Sequence, residues 1–129
     1  MPSLNFEGRF SHAVSSGLKL QTIRPPRNTP IRFGDTVHLF SGLRTAAVCR
    51  LGAGKVLRVE PVIISPDRVQ LSGIWLTEDE TERLAWDDGF GGWPEMRAWF
   101  LRRYTLPFKG DLIVWDLLDN QSDFLDALV

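Results

Sequence analysis

The chain has 129 residues, of which 15 are Lys or Arg and 16 are Asp or Glu, and its formal net charge is −1. A chain of this length can form one domain that buries a core without disulfides or a metal, and its charge balance gives no overall attraction to nucleic acid. No apolar run approaches the roughly 18 residues of a membrane span, and the N-terminus lacks a signal-peptide pattern. The single cysteine, Cys49, cannot form an internal disulfide. We therefore expect a cytoplasmic protein without a membrane partner.

The charges are distributed unevenly along the chain. Residues 1–58 carry nine Lys or Arg against two Asp or Glu, whereas residues 59–129 carry six against fourteen. A basic half fits a surface that faces a substrate, and an acidic half fits ordinary solvated helices. Charge alone therefore leaves both interpretations open.

The first predicted element is a short helix over residues 6–16, where apolar side chains recur at helical spacing. Gly17 suits the left-handed position that follows a helix end. Residues 18–23 are predicted to be extended, because Pro25 and Pro26 forbid helix immediately after them.

Most of the middle of the chain is predicted to be β-structure. Strands are expected at 36–40, 46–51, 54–64 and 68–72, and a closing strand at 112–115. The Gly52-Ala53-Gly54 run is interpreted as a hairpin turn between two of them. The connections are too short for parallel βαβ units, so the strands should be mostly antiparallel.

Two helices are predicted in the acidic half. Thr77, followed by three acidic residues, is a good helix start, and this helix should run to about Trp86. A second helix should begin at Trp93. Five or six short strands with flanking helices predict an α+β fold built on a strongly curved sheet or barrel. We assign residues 1–118 to this domain and 119–129 to a C-terminal tail.

A candidate site lies at Lys19, Thr22 and Arg24. Lys19 can act as a base only if its pKa falls by about 3 from an ordinary value near 10.4, which burial or a nearby cation can cause. Thr22 is a candidate nucleophile beside that amine, although residues three apart on a regular strand point to opposite faces. Arg24, stiffened by the following prolines, is suited to bind a carboxylate or phosphate. The alternative is that Lys19 and Thr22 are ordinary strand residues and that Arg24 makes a structural ion pair.

The glycine-rich segment at 85–96 supplies further candidates. Asp88 could act as a general acid or hold a substrate amine, and Phe90 and Trp93 could stack on a flat base. The alternative interpretation is a corner between helices whose aromatic side chains fill the core. Ser41 and Arg44, in the turn after the 36–40 strand, are further substrate-binding candidates.

Metal binding is not expected, because neither His12 nor His38 lies at a metal-ligand spacing from acids or cysteines. The Gly52-Ala53-Gly54-Lys55 run lacks the first glycine and the Ser/Thr of a phosphate-binding loop. We therefore predict that the protein uses no metal and no cofactor.

The ordered motifs resemble the ASCH family, a branch of the PUA-like superfamily. Its hallmark is a G-x-K-x-x-x-x-R motif at a helix-to-strand junction, which Gly17, Lys19 and Arg24 satisfy. Further similarities are the Gly-Asp turn at 34–35 and the Asp-Gly-Phe segment at 88–90. The similarity extends over about residues 6–117.

The resemblance implies a compact PUA-like β-barrel whose cleft is lined by the motif lysine and arginine and binds a modified nucleoside or RNA. Some small members are amidohydrolases that remove the acetyl group of N4-acetylcytidine, using the motif lysine, a threonine and a glutamate. Lys19 and Thr22 match by spacing, and the glutamate position falls at or beside Asp88, with Asp87 as its neighbour. The implied activity is therefore hydrolysis of an acylated nucleoside; a non-catalytic RNA or nucleotide-binding module and a ribonuclease are the alternatives.

Overall fold

The computed structural model describes residues 2–118, which form an α+β fold. Its elements in chain order are β1 (Ser3–Phe6), a 3₁₀ turn (Gly8–Phe10), α1 (Ser11–Ser16), β2 (Gln21–Arg24), β3 (Thr36–Ser41), β4 (Cys49–Ile64), β5 (Val69–Leu71), β6 (Ile74–Trp75), α2 (Glu78–Asp87), α3 (Trp93–Arg103) and β7 (Phe108–Leu118). The tail assigned to 119–129 lies outside the described residues.

The strands form one sheet arranged around the long strand β4. On one side β4 pairs with β7, which pairs with β2. On the other side its first half pairs with β3 and its last residues with β5, which pairs with β6. The β1–β3 pair is parallel and the other five pairs are antiparallel, so the prediction of mostly antiparallel strands is confirmed.

The sheet formed by the described residues has seven strands rather than five or six, and it is not closed into a barrel. Within residues 2–118, β1 pairs only with β3 and β2 pairs only with β7, so no backbone ladder joins β1 to β2. A side chain bridges this seam instead: Nη2 of Arg24 donates to the Asn5 carbonyl oxygen at 2.6 Å. The seam leaves one edge of the sheet open beside the candidate residues.

The predicted hairpin at Gly52–Gly54 is wrong, because Cys49–Ile64 is one continuous strand. At Gly54 the glycine serves a close approach between strands: a Cβ built there would lie 2.5 Å from Cδ1 of Trp115. Gly52 has φ +147° and lies beside a register shift between β3 and β4. These glycines therefore let β4 pack and bend rather than end it.

The predicted helix at 6–16 is also partly wrong. Residues 3–6 form β1, where Leu4 and Phe6 alternate inward and are 1% and 4% exposed. The helix proper covers only Ser11–Ser16 and ends at Gly17, which has φ +81° as expected for a left-handed cap. The apolar residues that suggested one helix are therefore shared between a strand, a 3₁₀ turn and a helix.

The core joins the sheet to all three α-helices. Its buried members include Val14 of α1, Leu84 of α2 and Met96 of α3, packed with Trp115 of β7. The two predicted helix starts are confirmed: Thr77 caps α2, and α3 begins at Trp93. None of the helices described in residues 2–118 has the length and apolar character needed to cross a membrane.

Candidate functional site

Lys19 and Asp88 are brought together by the ends of two helices. Gly17 ends α1, and the Lys19 backbone N–H returns to the Ala13 carbonyl at 2.9 Å, which turns the chain toward β2. Asp88 is the C-cap residue of α2. Lys19 is 2% exposed and Asp88 is 4% exposed, so this buried contact joins two charged residues distant in sequence.

The ammonium group of Lys19 makes two contacts with Asp88. Its Nζ donates to the Asp88 carbonyl oxygen at 2.5 Å and lies 3.4 Å from Oδ1 of the carboxylate. Nε2 of Gln21 donates to the same Oδ1 at 3.2 Å. The rings of Phe6 and Phe10 face the ammonium at 5.7 and 5.0 Å. Lys19 is therefore held between a helix C-terminus, a carboxylate and two aromatic rings.

Burial changes the proton affinities of both members of the pair. Desolvation lowers the pKa of Lys19, and the charge of Asp88 opposes that change. Desolvation likewise raises the pKa of Asp88, against the opposing charge of Lys19. Desolvation therefore favours the neutral amine and the neutral carboxylic acid, and the attraction between the two charges opposes it.

Thr22 and Arg24 form a second contact in the same place. Nε of Arg24 donates to Oγ1 of Thr22 at 2.9 Å, and its guanidinium carbon lies 4.9 Å from the centre of the Phe6 ring. Burial lowers the pKa of Arg24, although a guanidinium keeps its charge at neutral pH. The Thr22 hydroxyl thus accepts a charge-assisted hydrogen bond, which stabilises developing negative charge on its oxygen.

One cavity of about 90 Å³ is lined by all four candidate side chains, namely Lys19, Thr22, Arg24 and Asp88. It has room for several water molecules. Lys19 precedes β2, which begins at Gln21, so the strand geometry that would send Lys19 and Thr22 to opposite faces does not apply. The other lining residues are mostly aromatic or polar: Asn5, Phe6, Glu7, Phe10, Ile23, Phe90, Trp99, Phe100, Arg103 and Tyr104.

Some predicted residues lie elsewhere. Trp93 is half-buried against the core, and its backbone N–H donates to Glu82. Ser41 and Arg44 belong to the end of β3 and the turn after it, and neither lines this cavity. Asp87 is exposed and pairs with Arg83 at 3.5 Å. Of the two adjacent carboxylates, Asp88 is therefore the one that faces Lys19.

Several lining residues were missed by sequence reasoning. Phe6 was placed at the start of the helix predicted over 6–16 and Asn5 was given no element, whereas both belong to β1 at the open seam. Trp99 of α3 and Tyr104 just after it lie on an apolar stripe at helical spacing, which is a sequence signal that could have indicated them. The Trp99 ring lies 5.8 Å from that of Phe90, which was predicted.

Gly89 lets the backbone pass close to the lysine stem. Its φ of +95° is in the region that favours glycine, and a Cβ there would lie 3.0 Å from Cδ1 of Phe10 and 3.1 Å from Cδ of Lys19. The Asp-Gly-Phe segment is thus the point at which α2 ends against Lys19.

Residues 2–118 contain no group of three or more His, Cys, Asp or Glu side chains that could hold a metal ion. Comparison of the chain with protein-family models, curated proteins and solved structures finds no match. The similarity to the ASCH family therefore rests on the motif residues and stays a prediction.

Proposed function

We propose that this protein is a small hydrolase that cleaves an amide on an acylated nucleoside such as N4-acetylcytidine. The observation that carries this proposal is the convergence of Lys19, Thr22, Arg24 and Asp88 on one cavity. Three groups have the chemistry of an amidohydrolase: an amine, a hydroxyl and a carboxyl group. The aromatic lining suits a flat base, and no cofactor is required.

In the acylation step, neutral Lys19 takes the proton of the Thr22 hydroxyl as its oxygen attacks the acyl carbon. The carbonyl electron pair moves onto the acyl oxygen, and Arg24, already bonded to the threonine oxygen, stabilises the resulting oxyanion. The carbon–nitrogen bond then breaks, and the leaving amine takes a proton from protonated Asp88. The products are cytidine, acyl-Thr22, protonated Lys19 and ionised Asp88.

In the deacylation step, ionised Asp88 takes a proton from a water molecule that attacks the acyl-threonine. Collapse of this intermediate breaks the carbon–oxygen bond, and the Thr22 oxygen recovers its proton from protonated Lys19. The carboxylic acid leaves, and the pair returns to neutral amine and neutral acid. Burial supports this cycle because it favours these neutral forms.

Assignment of the chain to the ASCH family, with a PUA-like sheet open between β1 and β2, is part of the same proposal. Gly17 ends α1 and Arg24 ends β2, so the motif lies at a helix-to-strand junction, as it does in that family. Asp88 is one methylene shorter than glutamate, and its Oδ1 lies 3.4 Å from Nζ of Lys19.

A second candidate, a binding module without chemistry, is favoured by a specific feature of the hydrogen bonding. The Lys19 ammonium is committed to Asp88 and the Thr22 hydroxyl to Arg24, and residues 2–118 show no hydrogen bond between Lys19 and Thr22. Such a site would hold a modified nucleotide or RNA and return it unchanged. Cleavage of RNA in the same cavity is a further alternative.

The test is incubation of the purified protein with N4-acetylcytidine, followed by chromatography of the nucleosides. We expect cytidine to accumulate with the wild type and not with Lys19→Arg, which keeps a cation beside Asp88 but removes the base. Absence of cytidine with the wild type, or equal release by Lys19→Arg, would overturn the proposal. Recovery of bound but intact N4-acetylcytidine would support the binding module.

A further inference from the structure

A second, outer cavity lies beside the first, inner one. It has a volume of about 440 Å³ and is lined by Glu7, Arg9, Trp99, Arg102 and Arg103. Three of these residues, namely Glu7, Trp99 and Arg103, also line the inner cavity. The two cavities are therefore adjacent, and these three side chains form part of the wall of each.

The outer cavity carries an excess of positive charge. Three arginines line it against one glutamate. Arg9 forms an ion pair with Glu95, and Arg103 lies 3.4 Å from Glu7. Glu95 and Glu7 therefore balance two of the three arginine charges, and the third, that of Arg102, remains in excess.

Arg102 is the cation whose charge is least compensated. Its side chain makes no hydrogen bond or ion pair with another side chain of residues 2–118. The pKa of Glu95 is lowered mainly by its hydrogen bond from Arg9, and the charge of Arg102 adds to that effect. The last turn of a helix favours cations in general, which accounts for Arg102 and Arg103 being there. It does not account for their lining a cavity next to the candidate active site.

Trp99 and Arg103 form the boundary between the two cavities. Nε1 of Trp99 donates to Oε1 of Glu7 at 2.8 Å, and the Arg103 guanidinium lies 5.3 Å from the Trp99 ring. A base held in the inner cavity would therefore have its sugar beside Trp99 and any attached phosphate among the arginines.

We propose that the outer cavity is a phosphate subsite, so that the natural ligand is a phosphate ester of the modified nucleoside rather than the free nucleoside. This inference rests on the proposed function for the placement of the base. Guanidinium groups bind phosphate oxygens through paired, charge-assisted hydrogen bonds. The phosphate can belong to a mononucleotide or to the chain of an oligoribonucleotide, and the experiment below separates these two sources.

The test compares the binding of cytidine, cytidine 5′-monophosphate and a short oligocytidylate by calorimetry at low and high salt. We expect the monophosphate to bind roughly tenfold more tightly than cytidine at low salt, and added salt to reduce this difference. Arg102→Gln should reduce the difference about fivefold. Arg83→Gln, which removes the charge of another exposed arginine, on α2, should leave this difference unchanged.

Each outcome has one meaning. A tighter monophosphate that depends on Arg102 supports the subsite, whether or not N4-acetylcytidine is cleaved. Equal binding of cytidine and its monophosphate, binding of neither, or an equal loss in Arg83→Gln would overturn it, even if cleavage is observed. An oligocytidylate that binds more tightly than the monophosphate identifies the polymer as the source of the phosphate, and the reverse order identifies the mononucleotide.

Discussion

Nζ of Lys19 lies 3.4 Å from Oδ1 of Asp88, although 69 positions separate the two residues in the chain. This contact fixes the C-terminal end of α2 against the segment that leads into β2. Because both side chains are buried, the contact bears on the stability of the fold as well as on the proposed chemistry.

Breaking this buried pair should strongly destabilise the protein. Lys19→Met leaves the Asp88 carboxyl group buried without its partner, and we expect the free energy of unfolding to fall by about 3–5 kcal/mol in urea titrations. The double variant Lys19→Met with Asp88→Leu should recover part of that loss. The control, Arg83→Met, breaks the exposed pair with Asp87, which solvent screens, so it should cost less than about 1 kcal/mol. An equal loss in Lys19→Met and Arg83→Met would contradict the role assigned to the pair.

The pH dependence of stability should report the lowered pKa of Lys19. Below its ordinary pKa of 10.5, the unfolded chain binds the Lys19 proton more tightly than the folded chain does. This residue's contribution to stability is therefore present above pH 10.5 and is lost as the pH falls through the lowered folded pKa.

Asp88→Asn removes the negative charge that opposes the lowering of the Lys19 pKa. The free energy of unfolding should then rise more steeply between pH 7 and 10 than in the wild type, by at most about 1.4 kcal/mol per pH unit. Urea titrations at several pH values measure the slope. The neighbouring variant Asp87→Asn should keep the wild-type slope. The same slope in all three proteins would contradict the effect of the Asp88 charge on the Lys19 pKa.

A methyl group at Gly89 should disturb the site as well as the backbone. Gly89→Ala must adopt a positive φ and places Cβ within 3.1 Å of the Lys19 stem. Gly34→Ala is the matched control, because Gly34 has φ +87° and no neighbour within 4 Å of such a Cβ. We expect both variants to lose about 1–2 kcal/mol from the backbone, and Gly89→Ala to lose about 1–3 kcal/mol more. Thermal unfolding that places the two variants at the same stability would count against the close packing.

The N-cap of α2 should affect stability without affecting chemistry. The Thr77 side chain accepts from the Glu80 backbone N–H at 3.1 Å, and the Glu80 side chain accepts from the Thr77 N–H at 2.8 Å. Thr77→Ala should cost about 1 kcal/mol, measured by urea unfolding against the exposed loop variant Thr29→Ala. Nucleoside binding should be unchanged, since the cap lies at the opposite end of α2 from Asp88. Weakened binding would contradict this expectation, because it would show that loss of the Thr77 cap changes the position of Asp88 at the other end of α2.

The parts of the fold that local sequence signals determine were predicted well. The helix that follows Thr77 has a capping residue and acids in its first turn, and Gly17 ends α1 in the left-handed conformation. These features depend on residues within a few positions of each other. The α+β class followed from such signals together with the short connections between strands.

The parts that depend on distant pairing could not be predicted in the same way. The β1 strand exists because its residues pair in parallel with β3, and Ser3 aligns with His38. The continuity of β4 depends on Trp115 packing over Gly54 from a strand far along the chain. In the site, the motif spacing indicated Lys19 and Arg24, but only the fold places Asn5 and Trp99 beside them.

The most direct test of the proposed hydrolysis is the single-turnover rate of cytidine release, with the protein in excess over N4-acetylcytidine. Thr22→Val removes the nucleophile and keeps the side-chain shape, whereas Thr22→Ser keeps the hydroxyl. We predict that the wild type and Thr22→Ser release cytidine, and that Thr22→Val is slower by roughly 10³-fold or more. Release by Thr22→Val at the wild-type rate, or no release by the folded wild type, would contradict the account.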